Sequence, residues 1–380
     1  MDPIDVADLD PSIQTGPFHE RQKEAGADFY EDLGWLWTRS FGDPDGEYWA
    51  VRRGAGLWDV SALIKWRFTG PDARLSLDRL TTRRVRDAAP GVISYGLILN
   101  DRGAMLDEGT ICVVSSEEVY FMGNDEREPF EDHMRAVCAE LDVGIENMTS
   151  HIPNISIQGP DSLNVLSKLT GTDLGSLGYF KLSPEPVTIA GVSGLVTRTG
   201  FSGEVGFEFF MTGGPAGAES LWDAVVAAGA RPFGLDAVEK LRIELGLVIQ
   251  DEDYFPGETD PYELSLDAFI DLEGHEFVGR EQALATASAP PRRFKTLEIE
   301  GDALPRVGEP VTRDGVTVGD LRSVEISPRF GPLALAVLES SAAIDGAAVE
   351  ADHIRATVRP LPFDRGARAR SNPRDPARVD

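Results

Sequence analysis

The order of hydrophobic and polar positions predicts strands and amphipathic helices in alternation. We assign strands where apolar residues alternate or run together, and helices where they recur every three or four positions. In the first part of the chain the predicted strands cover 57–60, 65–69, 93–100, 105–114 and 119–122, and the predicted helices cover 47–54, 73–81 and 125–140. Asp101-Arg102-Gly103 separates two of these strands, which is typical of a hairpin.

The same succession occurs again further along the chain. Strand 154–158 is followed by Gly159-Pro160-Asp161 and helix 162–169, as strand 65–69 is followed by Gly70-Pro71-Asp72 and helix 73–81. The shared tripeptide indicates an internal duplication of a strand–turn–helix unit. Further strands are predicted over 187–196 and 204–211, and further helices over 218–228 and 235–245.

Past residue 284 the pattern changes. A linker of small residues and prolines, 285–291, precedes short strands over 294–300, 309–312, 317–325 and 333–338, which predict a small all-β barrel. The predicted organisation is an α+β protein with two related α/β-sheet domains and this barrel. Its parts are an N-terminal segment packing on the first domain (1–46), a first domain (47–150), a second (151–284), the barrel (292–364) and a disordered tail (365–380). Trp35 and Trp37 are expected in a passage from helix to loop.

Composition narrows the function. The chain has 380 residues, with 36 Lys and Arg against 64 Asp and Glu, a net charge of −28. This balance argues against nucleic acid or an anionic membrane as a partner, because both are bound by clustered basic residues. No apolar run is long enough to span a bilayer and the N-terminus does not resemble a signal peptide, so we expect a cytoplasmic protein. A homo-oligomer is compatible with the sequence.

Several common chemistries lack their motifs. The sequence has no dinucleotide-binding G-x-G-x-x-G, no phosphate-binding G-x-x-x-x-G-K-[ST] and no G-x-S-x-G nucleophile turn. The cysteines, Cys112 and Cys138, and the five scattered histidines show no metal-ligand spacing, so no metal site is predicted.

The first candidate site is the adjacent pair Asp107 and Glu108 in an apolar strand. Side chains of neighbouring strand residues point to opposite faces, so only one of the two faces a given cavity. A buried carboxylate costs free energy unless it is paired, which favours a function. The alternative is a pair of acids near a turn on an exposed edge.

The second candidate is the glycine-rich turn 197–208, which contains Glu204. Its three glycines allow the backbone to approach a ligand closely. Glu204 is suited to accept two parallel hydrogen bonds from an N–H/NH₂ edge, such as that of a guanine-like or pterin-like ring. The alternative is a plain hairpin with a solvated glutamate.

The third candidate is Arg242, on the helix that contains Leu241-Arg242-Ile243-Glu244. Arg242 is three residues from Glu239, so the alternative is an ordinary surface ion pair within the helix.

Six motifs in register resemble the aminomethyltransferase family, which comprises the T-protein of the glycine cleavage system and its folate-dependent relatives. The resemblance runs from about residue 17 to 362. The motifs are Gly56-Leu-Trp-Asp-Val-Ser61, Asn100-x-x-Gly103 with the acidic pair, Gln158-Gly159-Pro160, Arg198-Thr-Gly-Phe-Ser-Gly-Glu204-x-Gly206-x-Glu208, Leu241-Arg-Ile-Glu244 and Gly279-Arg-Glu281.

The resemblance implies a cloverleaf of three domains that binds tetrahydrofolate, as a co-substrate, in a central cavity. Glu108 lies where T-proteins have their essential acid, with Asp107 beside it. Glu204 matches the glutamate that holds the pterin edge. Asn124 and Tyr95 lie where family members place folate-site residues, and Arg242 and Phe201 complete the predicted cofactor-binding set.

The sequence departs from T-proteins at several of these positions. The essential acid is Glu108 instead of aspartate, and Ala62 stands where T-proteins usually have histidine. Phe201 and Val205 replace a tyrosine and an aspartate of the glycine-rich turn, and the segment 249–255 differs from the usual Tyr-Gly-x-Asp. These departures argue against glycine cleavage itself, including docking of a lipoyl carrier protein.

The departures favour a tetrahydrofolate-dependent transferase that takes a one-carbon group from a small S-, O- or N-methyl donor, that is, a demethylase. Three alternatives remain: an aminomethyltransferase of glycine cleavage, a non-enzymatic folate-binding protein, and the folate domain of a flavin-dependent amine oxidase with a separate flavoprotein partner. The non-enzymatic relatives carry a cysteine in the glycine-rich turn, which this chain lacks.

Overall fold

The computed structural model describes residues 10–367. In chain order its helices are α1 (His19–Glu24), α2 (Pro44–Arg53), α3 (Ala73–Leu80), α4 (Glu128–Val137), α5 (Ser162–Ser167), α6 (Ala218–Ala227), α7 (Leu235–Ile243) and α8 (Arg280–Ala287). Along this part of the chain, none of the helices has the length and apolarity that crossing a bilayer requires. The predicted disordered tail lies, from residue 368 on, outside the described residues.

The strands form a short hairpin, two sheets and a barrel. In chain order they are β1 (Asp28–Asp32), β2 (Trp35–Ser40), β3 (Gly56–Asp59), β4 (Ile64–Thr69), β5 (Ile93–Leu99), β6 (Met105–Val113), β7 (Glu118–Gly123), β8 (Gly144–Asn147), β9 (Asn154–Gln158), β10 (Val187–Ile189), β11 (Val192–Thr197), β12 (Gly206–Phe210), β13 (Arg231–Pro232), β14 (Arg292–Ile299), β15 (Pro310–Arg313), β16 (Val316–Ser327), β17 (Gly331–Glu339), β18 (Ala348–Ala351) and β19 (Ile354–Arg359).

The strand order confirms the predicted α+β class. The first sheet has the order β5-β6-β7-β4-β8, and the second has the order β10-β11-β12-β9-β3-β13. Strands β14 to β19 close into a six-stranded barrel, which confirms the C-terminal β-barrel.

The repeated tripeptide occupies equivalent turns in the two sheets. Gly70 links β4 to the start of α3 with φ +128°, and Gly159 links β9 to the start of α5 with φ +122°. Only glycine adopts this conformation readily, because it has no Cβ. The duplication inferred from the sequence therefore has a matching local geometry.

The predicted first domain, 47–150, does not form one unit. Strand β3 joins the second sheet, where Leu57 lies opposite Ile157 of β9, and Leu57 is buried in the same apolar core as Phe209. The apolar pattern of a four-residue strand indicates that the strand is buried but does not identify the strand with which it pairs. From the sequence we therefore predicted that β3 belongs to the domain that follows it in the chain.

The N-terminal segment also differs from its prediction. Trp35 and Trp37 lie in β2 of a hairpin whose turn contains Leu33, a residue with φ +49°. Phe18, next to α1, is buried against Trp222 of α6, with ring centroids 5.9 Å apart, whereas Trp35 Nε1 donates to Glu126 Oε1 at 3.3 Å, so the segment contacts both predicted domains.

One apolar core joins the first sheet to the barrel. It contains Leu97 and Leu99 of β5, Tyr254 from the segment after α7, and Leu335 and Val337 of β17. The barrel is therefore part of the body of the molecule and encloses a second core of its own.

Candidate active site

The acidic pair lies in β6, away from solvent. Asp107 is fully buried and the exposed fraction of Glu108 is 8%. Both residues fall in a strand paired on one side with β5, where Glu108 lies opposite Leu97. The alternative of two acids on an exposed edge therefore does not apply.

Asp107 is held by the backbone. Its carboxylate accepts hydrogen bonds from the main-chain N–H groups of Glu108 at 2.8 Å, Asn124 at 3.0 Å and Asp125 at 3.2 Å. These donors belong to β6 and to the loop that follows β7. Asp107 thus ties the loop to the strand and has little freedom to turn towards a substrate.

Asn124 connects the two acids. Its side-chain Nδ2 lies 3.0 Å from Asp107 Oδ1 and 3.1 Å from Glu108 Oε1. Glu108 is also hydrogen-bonded to the side chain of Tyr95 in β5. The structure therefore brings together four of the residues predicted from the sequence.

Burial is the main influence on the protonation of the pair. Burial, followed by the neighbouring Glu108 carboxylate, raises the pKa of Asp107 to about 7, against the hydrogen bonds from Asn124. Burial also raises the pKa of Glu108, although its hydrogen bonds with Tyr95 and Asn124 act in the opposite direction. Two acids that interact in this way release their protons in coupled steps.

The glycine-rich turn is occupied by a side chain of the protein. A Cβ on Gly200 or Gly206 would lie 2.0 or 2.2 Å from Gln158 Oε1, so the two glycines make room for the amide of Gln158. This amide donates to Thr199 O at 3.1 Å and accepts from Ser202 Oγ at 2.7 Å. The glycines thus serve to shape the turn around Gln158.

Glu204 belongs to a buried ion-pair network. Arg52 of α2 donates through Nη1 to Glu204 Oε1 at 2.8 Å and through Nη2 to Glu244 Oε2 at 2.6 Å. Glu244 in turn accepts hydrogen bonds from Tyr48 and from Ser327 of the barrel. The alternative of a solvated glutamate is excluded, and Arg52 fixes the orientation of the carboxylate.

Arg242 is fully buried and all its donors are used within the protein. It does pair with Glu239, at 2.7 Å, as the alternative expected, but not at the surface. The remaining partners are Asp253, Glu252, Ser323 and the carbonyl of Leu247. Its predicted contact with folate stays a prediction, and the geometry favours an organising role.

Phe201 packs beside the apolar cluster that contains Trp58 and Phe233, close in sequence to Glu204.

Sequence reasoning missed Arg52 and Glu244 as partners of Glu204, and it also missed Tyr254. For Tyr254 there was a signal, because the segment 249–255 had been singled out as unusual. Among residues 10–367, no cluster of three or more His, Cys, Asp and Glu is arranged to hold a metal ion.

Two family models match the chain. The GCVT N-terminal domain matches residues 18–274, and the glycine cleavage T-protein C-terminal barrel domain matches residues 292–364. A probable aminomethyltransferase of Halobacterium salinarum is 33% identical over 91% of this chain and 96% of its own length. An aminomethyltransferase of Rubrobacter xylanophilus is 32% identical over 95% and 96% of the two chains.

A different kind of relative also matches. A trimethylamine-oxide aldolase of Ruegeria pomeroyi is 31% identical over 85% of this chain, which corresponds to 43% of that longer protein. Among solved structures, the glycine cleavage system aminomethyltransferase T of Bartonella henselae superposes with a TM-score of 0.83 at 22% identity, covering 93% of this chain and 98% of that one. That likeness shows the fold.

Both domains of the family model are present, and full-length relatives share about a third of the sequence. The chain belongs to the aminomethyltransferase family. It is an enzyme of that family by sequence, by fold and by the order of its domains.

Proposed function

We propose that this protein transfers a one-carbon group from a small methylated donor to tetrahydrofolate, with Glu108 as the catalytic carboxylate. The observation that carries the proposal is the buried pair Asp107 and Glu108, bridged by Asn124 and bonded to Tyr95. Two carboxyl groups in an apolar strand cost free energy that a structural role alone does not require.

The two acids have different tasks in this proposal. Asp107 accepts three main-chain N–H groups and is a positioning residue. The carboxyl group of Glu108 is hydrogen-bonded to the side chains of Asn124 and Tyr95. Side chains can move more easily than the main chain that holds Asp107, so Glu108 is the acid that we expect to reach a substrate. It takes up the proton that the folate nitrogen releases when the nitrogen acquires the one-carbon group, or stabilises developing positive charge. The donor's leaving atom keeps the electron pair of the broken bond.

Folate binding is assigned to Glu204 and the residues around it. Arg52 holds one oxygen of Glu204 at 2.8 Å, and each carboxylate oxygen accepts more than one hydrogen bond. A carboxylate oriented in this way is the kind of group that binds the N–H/NH₂ edge of a pterin, and Glu204 is the residue proposed to do so. Phe201 supplies an apolar surface beside it, and Arg242 contributes by holding the surrounding elements.

The donor is the open part of this proposal. The similarity to a trimethylamine-oxide aldolase supports a methylated nitrogen compound, and the altered segment 249–255 lies near the acidic pair through Tyr254. Among residues 10–367, no basic side chain forms a hydrogen bond with the acidic pair, so the carboxylate favours a donor that is cationic at its methyl group.

The test begins with anaerobic calorimetric titration of the purified protein with tetrahydrofolate. We expect one-to-one binding, with Glu204→Ala weakening it more than about tenfold through loss of a charge-assisted pair. A panel of sulfonium, amine and aryl-ether methyl donors is then scored by the folate product formed. Glu108→Gln should abolish turnover with nearly unchanged folate binding.

Equal loss of binding and turnover in Glu108→Gln would contradict the division of roles. No binding of tetrahydrofolate up to millimolar concentration would overturn the proposal as a whole.

The second candidate is aminomethyltransferase activity in glycine cleavage, which the names of the Halobacterium salinarum and Rubrobacter xylanophilus relatives favour. It is distinguished by supplying an aminomethylated lipoyl carrier protein with tetrahydrofolate. Formation of methylene-tetrahydrofolate and ammonia from that carrier, with no reaction of the methyl donors, would establish it in place of the first proposal.

A further inference from the structure

Arg242 forms the centre of a buried network that joins three parts of the chain. Nη1 donates to Asp253 at 2.8 Å, Nη2 donates to Glu252 at 2.6 Å, and Nη2 also donates to Ser323 Oγ at 2.9 Å. Arg242 belongs to α7, the two acids to the segment after it, and Ser323 to β16 of the barrel.

Asp253 is the point at which the barrel meets the segment. Its Oδ1 accepts from Ser323 Oγ at 2.6 Å, and its Oδ2 accepts from the Ile249 N–H at 2.9 Å in addition to Arg242. Asp253 and Arg242 are both fully buried. A buried carboxylate with this many donors has one stable position, so it fixes the chain on either side of it.

The same segment then pairs with the strand that contains the acidic pair. The Gly257 N–H donates to Met105 O at 2.6 Å, and the Met105 N–H donates to Thr259 O at 2.8 Å. Met105 lies two residues before Asp107 in β6. Between Asp253 and Gly257, the chain is thus anchored at one end by the barrel and at the other by β6.

Tyr254 lies inside this doubly anchored stretch. It is fully buried in the apolar core shared by β5 and the barrel, and its hydroxyl donates to Gln250 Oε1 at 3.3 Å. Burial, followed by the charges of Asp107 and Glu108, raises the pKa of this hydroxyl. Leu97, which lies opposite Glu108 in the sheet, and Met105, two residues before Asp107, belong to the same core, so Tyr254 packs on the two strands that hold and flank the acidic pair.

We propose that Arg242, Asp253 and Ser323 form a brace that seats Tyr254 against Asp107 and Glu108, so that the barrel governs the hydration of the acidic pair. Tyr254 and the brace are positioning residues. The importance of the brace for turnover rests on the proposed function, whereas its effect on the acids does not.

The groups that face the pair come from three elements besides β6. They are Tyr95 of β5, Asn124, Asp125 and Arg127 of the loop after β7, and Tyr254. Arg127 pairs closely with Asp125, at 2.7 Å. Displacement of Tyr254 admits water to the acidic pair and leaves these charges in place. Because water favours the ionised form of a carboxyl group, we expect the apparent pKa of the pair to fall.

The test uses Ser323→Ala, which removes one hydroxyl far along the chain from the reacting groups. Thr296→Val is the matched control, because Thr296 is a fully buried barrel hydroxyl that has no hydrogen-bond partner among the described residues. Carboxyl carbons of Asp and Glu are labelled with ¹³C and titrated by NMR in the full chain, with Asp107→Asn and Glu108→Gln providing the assignments.

We expect Ser323→Ala to lower the apparent pKa of the pair by about half a unit or more, and Thr296→Val to leave it unchanged. Tyr254→Leu should shift it in the same direction, and Ser323→Thr, which keeps the hydroxyl, should restore the wild-type titration. Reduced thermal stability in Ser323→Ala with an unaltered titration of the pair would overturn the brace.

A double-mutant cycle separates coupling from two independent effects. If the brace acts through Tyr254, Ser323→Ala adds little to the shift already caused by Tyr254→Leu. Full additivity would contradict the proposal. Because these readouts need no substrate, absence of one-carbon transfer would defeat the proposed function and leave the brace to be judged by the titration.

Discussion

At the scale of single residues, Asn124 decides how the acidic pair is arranged. Its amide is shared between Asp107 and Glu108, at 3.0 and 3.1 Å. Asp107 is fixed by main-chain N–H groups in any case, so the amide of Asn124 matters mainly for the position of Glu108. Asn124 thus positions Glu108, whereas the sequence suggested only that it contacts folate.

Asn124→Ala should lower turnover about 10- to 100-fold with little change in the affinity for tetrahydrofolate, because it misplaces Glu108 without removing it. Steady-state kinetics and calorimetry measure the two effects. Asn147→Ala is the control, since Asn147 donates to Glu126 in the same domain at 2.7 Å. An equal loss of activity in both variants would show that the effect is not specific to the acidic pair.

The pH dependence follows from the raised pKa of the pair. Burial raises the pKa of Asp107 to about 7 and also raises that of Glu108, so Glu108 takes up a proton at a higher pH than an ordinary glutamate does. Since the proposed reaction needs Glu108 ionised, kcat/KM should rise with pH over a range above that in which an ordinary glutamate ionises, and then level off. A pH–rate profile that is flat from pH 5 to 8 would contradict this.

The pair affects stability with the opposite sign. A carboxyl group with a raised pKa in the folded state stabilises the fold most when both states are protonated, and this contribution is lost as the pH rises from about 4 to 7. Glu108→Gln removes the neighbouring charge that raises the pKa of Asp107. Denaturation of wild type and variant at pH 5 and pH 8 should show a smaller pH-dependent loss of unfolding free energy in the variant.

At the scale of secondary-structure elements, the turn that contains Gly159 is constrained both by its backbone conformation and by its neighbours. A Cβ on Gly159 would lie 2.4 Å from Gly54 O and 2.5 Å from Val51 O. These two carbonyls lie at the C-terminal end of α2, so the turn at Gly159 packs directly against the end of this helix. The turn requires glycine both for its φ and for this close approach.

Gly159→Ala should therefore lower the unfolding free energy by about 2 kcal/mol more than Gly191→Ala does. Gly191 has φ +84° in a hairpin turn, and a Cβ there meets no atom within 4 Å. The control accordingly measures the cost of backbone strain alone. If urea denaturation gave equal losses of unfolding free energy for the two variants, the close contact of Gly159 with α2 would make no contribution to stability.

Most elements could be predicted from the sequence, because their apolar residues follow the period of a strand or a helix. The strand Asn154–Gln158 and helix α3 fall where the pattern placed them. The β1–β2 hairpin was missed, since Trp35 and Trp37 lie in a polar segment whose alternation is too short to recognise. The partner of β3 was missed because periodicity shows which face is buried and not against what.

The same limit applies to the candidate site. The acidic pair and Glu204 could be recognised from the sequence, because the acids lie in an apolar strand and Glu204 in a glycine-rich turn, where burial of an unpaired carboxylate costs free energy. Arg52, which holds Glu204, is 152 positions away from it in the chain. No local pattern links the two. Long-range ion pairs of this kind are set by the packing of domains, which the sequence shows only after the fold is known.

At the scale of the whole molecule, the barrel is joined to the body by a shared apolar core. Val337 and Val358 are both fully buried in barrel strands, but Val337 packs in the core shared with β5, whereas Val358 packs in the core of the barrel itself. The two valines therefore allow the junction and the interior of the barrel to be weakened separately.

Val337→Ala and Val358→Ala should each cost about 1–3 kcal/mol. Only Val337→Ala should also speed hydrogen exchange in β5 and β6, because it loosens the core that these strands share with the barrel. Hydrogen exchange followed by mass spectrometry measures this. Identical exchange patterns in the two variants would show that the barrel and the body unfold as a single unit without a weaker junction.

The place of β3 in the second sheet affects how the chain folds during synthesis. The strands of the first sheet all lie between residues 64 and 147, so this sheet can assemble as soon as that stretch has left the ribosome. Strand β3 is made earlier but has to wait for β9 and β13, and until then its apolar residues are unprotected. In the nascent chain the strands of the first sheet are thus all available for pairing before those of the second, and an unpaired apolar strand is the part most exposed to misassembly in the interval.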